Sequence, residues 1–141
     1  MAIESTEGAE RLDRVSISLP FAAESAGVAR HRLQSWLAGQ GSDVEVVDDC
    51  ELVVTELVGN AVRHARPLSD GTLKVTWARA GSGTLEISVT DGGSPSLPHR
   101  IDASVSDLAG RGLVIVETIA ARWWTENTRT RSTVHALMAL V

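Results

Sequence analysis

The segment TLKVTWARAGSGTLEISVTD, Thr72 to Asp91, holds two runs in which apolar and polar residues alternate, separated by Gly81-Ser82-Gly83. A two-residue period puts successive side chains on opposite faces of a strand, and a glycine-rich turn between two such runs predicts an antiparallel hairpin. The sheet therefore has adjacent antiparallel strands.

Upstream, Val15-Ser16-Ile17-Ser18-Leu19 alternates in the same way until Pro20 ends it, which predicts a first strand. From Ala22 to about Ala38 the apolar residues Ala26, Ala29, Leu33, Trp36 and Leu37 recur at spacings of three and four, with Arg30 and Arg32 interspersed and Gly39 and Gly41 closing the segment. That is an amphipathic helix, with a solvated face expected at the arginines. Ser42 followed by Glu45 fits a capping box, so a second helix is expected to begin there. Asp43, Glu45, Asp48 and Asp49 lie at its start and Arg63, His64 and Arg66 near its end, the distribution a helix dipole favours, before Pro67 stops it.

Downstream of the hairpin, Gly92 to Gly110 reads as a long irregular loop, a class of segment that is usually functional or mobile. GLVIVETIAA, residues 112–121, has helical length and composition, and RWWTEN and STVHALMALV, residues 122–127 and 132–141, read as closing strands. About five strands and three helices result. Because strands and helices segregate after the opening βαα portion, the expected fold class is α+β, a two-layer sandwich with the helices on one face, rather than a parallel doubly wound sheet.

With 141 residues, 43 % of them apolar, the chain can build one sizeable core, and residues 15–141 are expected to form one domain behind a mobile tail of residues 1–14. The formal net charge of −5 supplies no general attraction to nucleic acid or to an anionic membrane. No segment approaches the roughly 20 apolar residues that span a bilayer, so a soluble protein is expected. The single cysteine, Cys50, excludes an intramolecular disulfide and fits a core filler in a reducing cytoplasm.

Chemistry enters with ELVGNAVRHA, Glu56 to Ala65, inside the second helix. A spacing of four puts Glu56 and Asn60 on one helical face about one turn apart. Seven residues are nearly two turns, so Asn60 also lies above Val53 on a face shared with Leu57 and Cys50, pointing toward the core. A buried amide left unpaired costs about 1–3 kcal/mol, so a partner is required: backbone, water, or a ligand and its metal. In SVTDGGSP, Asp91 ends a strand just before Gly92 and Gly93, where the backbone can turn sharply and let a flat ligand approach. In GRGLVIV, Gly110 and Gly112 stand at a helix start, where free N–H groups suit phosphate oxygens.

Taken in order, helical E-x-x-x-N, strand-end D-x-G and a loop ending in GRGL resemble the GHKL ATPase superfamily with its Bergerat nucleotide-binding fold. TELVGNAVRHA and GRGLVIVETIAARW look like the anti-sigma-factor serine/threonine kinases and related small ATP-binding regulators of actinobacterial type. The resemblance implies a mixed, mostly antiparallel sheet and a long ATP lid. It implies that Asn60 ligates Mg²⁺ on the ATP phosphates and that Glu56 orients or deprotonates the attacking hydroxyl. Asp91 would read the adenine amine, and Gly93 would permit close approach of the base. Gly110, Arg111, Gly112 and Leu113 would form the phosphate-side end of the lid, and Thr133 would assist Asp91 through water. His64 matches a position often histidine in this branch. The sequence departs from the family pattern at Pro95, which takes the last glycine position of D-x-G-x-G, and before the last strand, where Arg131 stands in for a missing lysine.

The resemblance implies a protein kinase that phosphorylates a small anti-sigma-factor antagonist, binds a sigma factor, and is cytoplasmic and homodimeric. A noncatalytic ATP-gated binding module of the same fold is the alternative. Neither reading calls for direct contact with nucleic acid or a membrane.

Overall fold

A computed structural model describes residues 13–81, 83–94 and 111–140. Its elements in chain order are β1 (Arg14–Pro20), α1 (Ser25–Gly39), α2 (Val44–His64), β2 (Thr72–Arg79), β3 (Thr84–Asp91), α3 (Arg111–Ile119), β4 (Arg122–Asn127) and β5 (Ser132–Ala139). The strands form one sheet in the order β1-β2-β3-β5-β4, and all four adjacent pairs are antiparallel. The fold is thus α+β, with no parallel pair among the described residues where a mixed sheet was anticipated.

Strand alternation sorts the two faces. Registers such as Ile17 to Val75, Trp77 to Ile87 and Val89 to Val134 line apolar side chains across the sheet on one side. Val75, Trp77, Leu85, Ile87, Val89, Ala136 and Met138 are all buried there, and α2 supplies the opposing surface with Val47, Cys50, Val53, Val54, Leu57, Val58 and Ala61. This stripe is wide because α2 is central: it packs on α1, on α3 and on strands β3 and β5. Burial of the Cys50 thiol, with Asp49 adding to the effect, pushes its pKa up to about 12, so it stays protonated and inert.

The outer face is polar. His135 is held between Glu86 at Nδ1 (2.8 Å) and Glu126 at Nε2 (2.7 Å), and its ring stacks on Trp124 with centroids 4.9 Å apart.

Element ends differ from expectation in informative ways. The second helix starts at Val44 with Asp43 as its N-cap and no side-chain cap bond, so Ser42 and Glu45 fall one position out of register for the capping box. The first helix starts at Ser25, whose hydroxyl donates to the Pro20 carbonyl at 2.6 Å. Pro20 itself belongs to β1, which tolerates it because β1 is an edge strand. Arg14, assigned to the tail, opens that strand; residues 1–12 of the expected tail lie outside the described residues.

Leu33 on α1 is fully buried. Leu33→Ala should lower unfolding free energy by about 2–5 kcal/mol, read from the urea midpoint at unchanged slope.

Candidate functional site

The C-terminal half of α2 and the C-terminal end of β3 meet at one edge of the sandwich. After His64 the chain leaves the helix, and Arg66 pairs with the glycines that follow β3. The Gly92 N–H donates to the Arg66 carbonyl at 2.7 Å and the Arg66 N–H to the Gly93 carbonyl at 2.9 Å. This short bridge ties the D-G-G turn to the exit of the helix that carries Glu56 and Asn60.

Asp91 is 5 % exposed and points to the helix-covered side, in the same alternation as Ile87 and Val89. Its Oδ1 accepts the Gly93 N–H at 2.7 Å, and among the described residues no hydrogen bond reaches Oδ2. Burial raises its pKa to about 6, the Gly93 N–H opposing the rise by favouring the carboxylate. Such a group can accept a hydrogen bond from a ligand amine once ionised. Gly93 has φ +92°, a conformation suited to glycine, and a Cβ built on it meets nothing within 4 Å. Among the described residues, nothing stands where a side chain at position 93 would project.

Asn60 is half-buried, but its Oδ1 is wholly buried and has no hydrogen-bond partner among the described residues. Glu56 is also half-buried and sits one turn earlier on α2. Natural proteins rarely leave such an oxygen unpaired, so it marks a place for something the chain itself does not provide.

Arg111, Gly112 and Leu113 form the first turn of α3, where backbone N–H groups lack intrahelical acceptors. The Leu113 side chain is in the core, 1 % exposed, so any contact it makes to a phosphate comes from its backbone. Gly110, Pro95 and the remainder of the expected lid lie outside the described residues.

Thr133 is not brought together with Asp91. It pairs in register with Thr90, and the two hydroxyls are 2.8 Å apart on the outer face. Adjacent strand residues point to opposite faces, so Asp91 faces the other way. Ser132, directly across from Asp91, is the hydroxyl on its side. Sequence reasoning missed Ser132 and the pairing of Arg66 with Gly92 and Gly93. The signal for Ser132 was present: Val134, Ala136 and Met138 set the parity of the inner face.

A model of the histidine kinase-like ATPase domain matches residues 19–136. The chain belongs to that family. In this ATPase family, the serine-protein kinase RsbW of Listeria innocua is 26 % identical over 119 residues, covering 76 % of this chain and 75 % of the relative. RsbW of Listeria monocytogenes is similar to the same extent. Among solved structures, the RsbU and RsbW domains of Rv1364c from Mycobacterium tuberculosis superpose with a TM-score of 0.71 at 25 % identity over 90 % of this chain. This ATPase domain spans 32 % of that longer chain. The SiaB–SiaC complex from Pseudomonas aeruginosa shares the fold, with a TM-score of 0.68 at 13 % identity over 97 % of this chain and 96 % of the other. Among the described residues of this ATPase domain, no helix is long and apolar enough to cross a membrane.

Proposed function

We propose that this chain is an ATP-dependent serine/threonine protein kinase that acts as an anti-sigma factor, phosphorylating a small antagonist protein and binding a sigma factor in alternation. The observation that carries the reading is the buried Oδ1 of Asn60, unpartnered among the described residues, one helical turn from Glu56 on the helix whose exit is tied through Arg66 to the turn after Asp91. The family match and the RsbW relatives supply the activity class. Use of ATP and a sigma factor supports a cytoplasmic setting, and the resemblance to small anti-sigma kinases supports a homodimer.

Each residue then has a stated task. Asp91 accepts from the adenine 6-amino group through the oxygen that Gly93 leaves open, with Ser132 opposite as a further polar contact. A site built around that acceptor discriminates against guanine, which offers a carbonyl in the same place. First-turn N–H groups of α3, those of Arg111, Gly112 and Leu113, donate to phosphate oxygens.

Asn60 fits Mg²⁺. The ion prefers oxygen ligands and takes few from protein when phosphates supply others, and an amide oxygen buried without a donor meets that need. When bound, the metal offsets charge on the phosphate oxygens. Glu56 receives the proton of the antagonist's serine or threonine hydroxyl. As the hydroxyl oxygen bonds to the γ-phosphorus, the bond from phosphorus to the β,γ-bridging oxygen breaks, and that oxygen leaves with the electron pair as part of ADP.

Asn60→Ala is expected to weaken Mg²⁺-dependent ATP binding by at least about tenfold in calorimetric titration and to leave binding without the metal unchanged. The same variant should keep or slightly raise the thermal midpoint, since it removes an unsatisfied buried oxygen. Equal ATP affinity with and without Mg²⁺ in wild type would remove the metal from the reading. Transfer of labelled phosphate to a cognate antagonist tests the kinase assignment.

A further inference from the structure

Two glycines follow Asp91, and the structure gives them different tasks. Gly93 needs its positive φ, whereas Gly92 has an ordinary φ and is needed for space. A Cβ built on Gly92 would overlap the Pro67 carbonyl oxygen, and would lie 2.8 Å from the Pro67 carbonyl carbon and 3.0 Å from the Arg66 carbonyl oxygen. All three are backbone atoms, so no side-chain rotation can relieve the contact.

The strand of chain on the far side of that contact is itself held. Pro67 has a restricted φ. Leu68 N–H donates to the Thr72 carbonyl at 2.9 Å and Gly71 N–H to the Leu68 carbonyl at 2.8 Å, so residues 66–72 form a hydrogen-bonded strap between α2 and β2. On the near side the Arg66 bridge holds Gly92 and Gly93 against the strap. A side chain at position 92 must therefore break the bridge or bend the turn, and either response moves the Asp91 carboxylate. Asn60 would stay, because Val53, Leu57, Val58 and Ala61 fix its helix in the core.

We propose that Gly92 is a positioning residue that sets the distance between the adenine-reading carboxylate of Asp91 and the phosphate-side residues of α2. The proposal rests on the ATP-binding reading above. It locates a length gauge for the nucleotide in the close backbone approach of Gly92 to Arg66 and Pro67, and it restricts the middle residue of D-x-G to glycine in this chain.

The test compares two ligands, Mg²⁺-ATP and Mg²⁺-tripolyphosphate, the second of which has no adenine. Gly92→Ala should weaken ATP by at least about tenfold while tripolyphosphate affinity changes by less than about twofold. Pro67→Gly frees the strap without touching the turn, and should shift the two ligands in the same unequal way by about threefold for ATP. If Gly92→Ala does not fold, Pro67→Gly decides on the same two ligands. Unchanged ATP affinity in the folded variant, or equal losses for both ligands, would overturn the inference. Wild-type protein that binds tripolyphosphate but not ATP would overturn the ATP reading itself, and the gauge with it.

Discussion

Glu56→Gln is expected to slow phosphoryl transfer to the antagonist by about 10²- to 10⁴-fold while ATP affinity stays within about twofold of wild type. Glutamine keeps the shape and reach of glutamate but cannot take up the hydroxyl proton. Glu56 lies on α2 one turn before Asn60 and is half-buried, and in the proposed reading its carboxylate faces the hydroxyl presented to the γ-phosphate. Single-turnover transfer of labelled phosphate, beside an equilibrium titration of ATP, separates chemistry from binding. A rate unchanged by the substitution would mean that the proton goes elsewhere. A parallel loss of ATP affinity would make Glu56 a binding residue.

The second large effect has two opposite signs. Asp91→Asn should weaken ATP binding by about ten- to a hundredfold, the worth of a hydrogen bond to a charged acceptor, and should stabilise the nucleotide-free protein at neutral pH. Burial raises the Asp91 pKa from 3.8 to about 6, with the Gly93 N–H pulling the other way. Between those values the folded protein keeps a proton that the unfolded chain has released. Its stabilising contribution is therefore complete below pH 3.8 and lost as pH rises through about 6. Above that range the ionised carboxylate sits 5 % exposed, at a cost on the order of 3 kcal/mol relative to water. Asparagine carries no charge to bury and can still accept from Gly93.

The thermal midpoint of Asp91→Asn should thus exceed wild type at pH 7.5 and converge with it near pH 4. Wild-type ATP affinity should fall as pH drops below about 6, where the carboxylate takes up its proton. A variant no more stable than wild type at pH 7.5 would mean that the carboxylate is solvated. Stability sacrificed at one buried group for the sake of binding is a familiar pattern at functional sites.

Elements with a strong period were legible from sequence, because burial on one face forces the pattern. The hairpin Thr72–Asp91 and the first strand stand where alternation put them. Helix starts were not, because capping depends on a one-residue register: Ser42 and Glu45 have the right types, but the helix opens at Val44. Glu56 and Asn60 could be placed on one face by spacing alone. That Asn60 Oδ1 lacks a partner could not, since it depends on what every neighbouring element presents. Thr133 was assigned by motif position, and the strand period overrules it in favour of Ser132. Gly92 was legible as a turn residue but its crowding was not, because that comes from Arg66 and Pro67, which lie far from it in the chain and meet it only through the folded strap.

If one adenine nucleotide spans α2 and the end of β3, a crystal structure with Mg²⁺ and a non-hydrolysable ATP analogue will show it. The expected result has Asn60 Oδ1 about 2.1 Å from the metal, the usual Mg²⁺–oxygen distance, and Asp91 Oδ2 within hydrogen-bond reach of the adenine amine. A nucleotide bound elsewhere, or one whose base faces away from Asp91, would contradict the account.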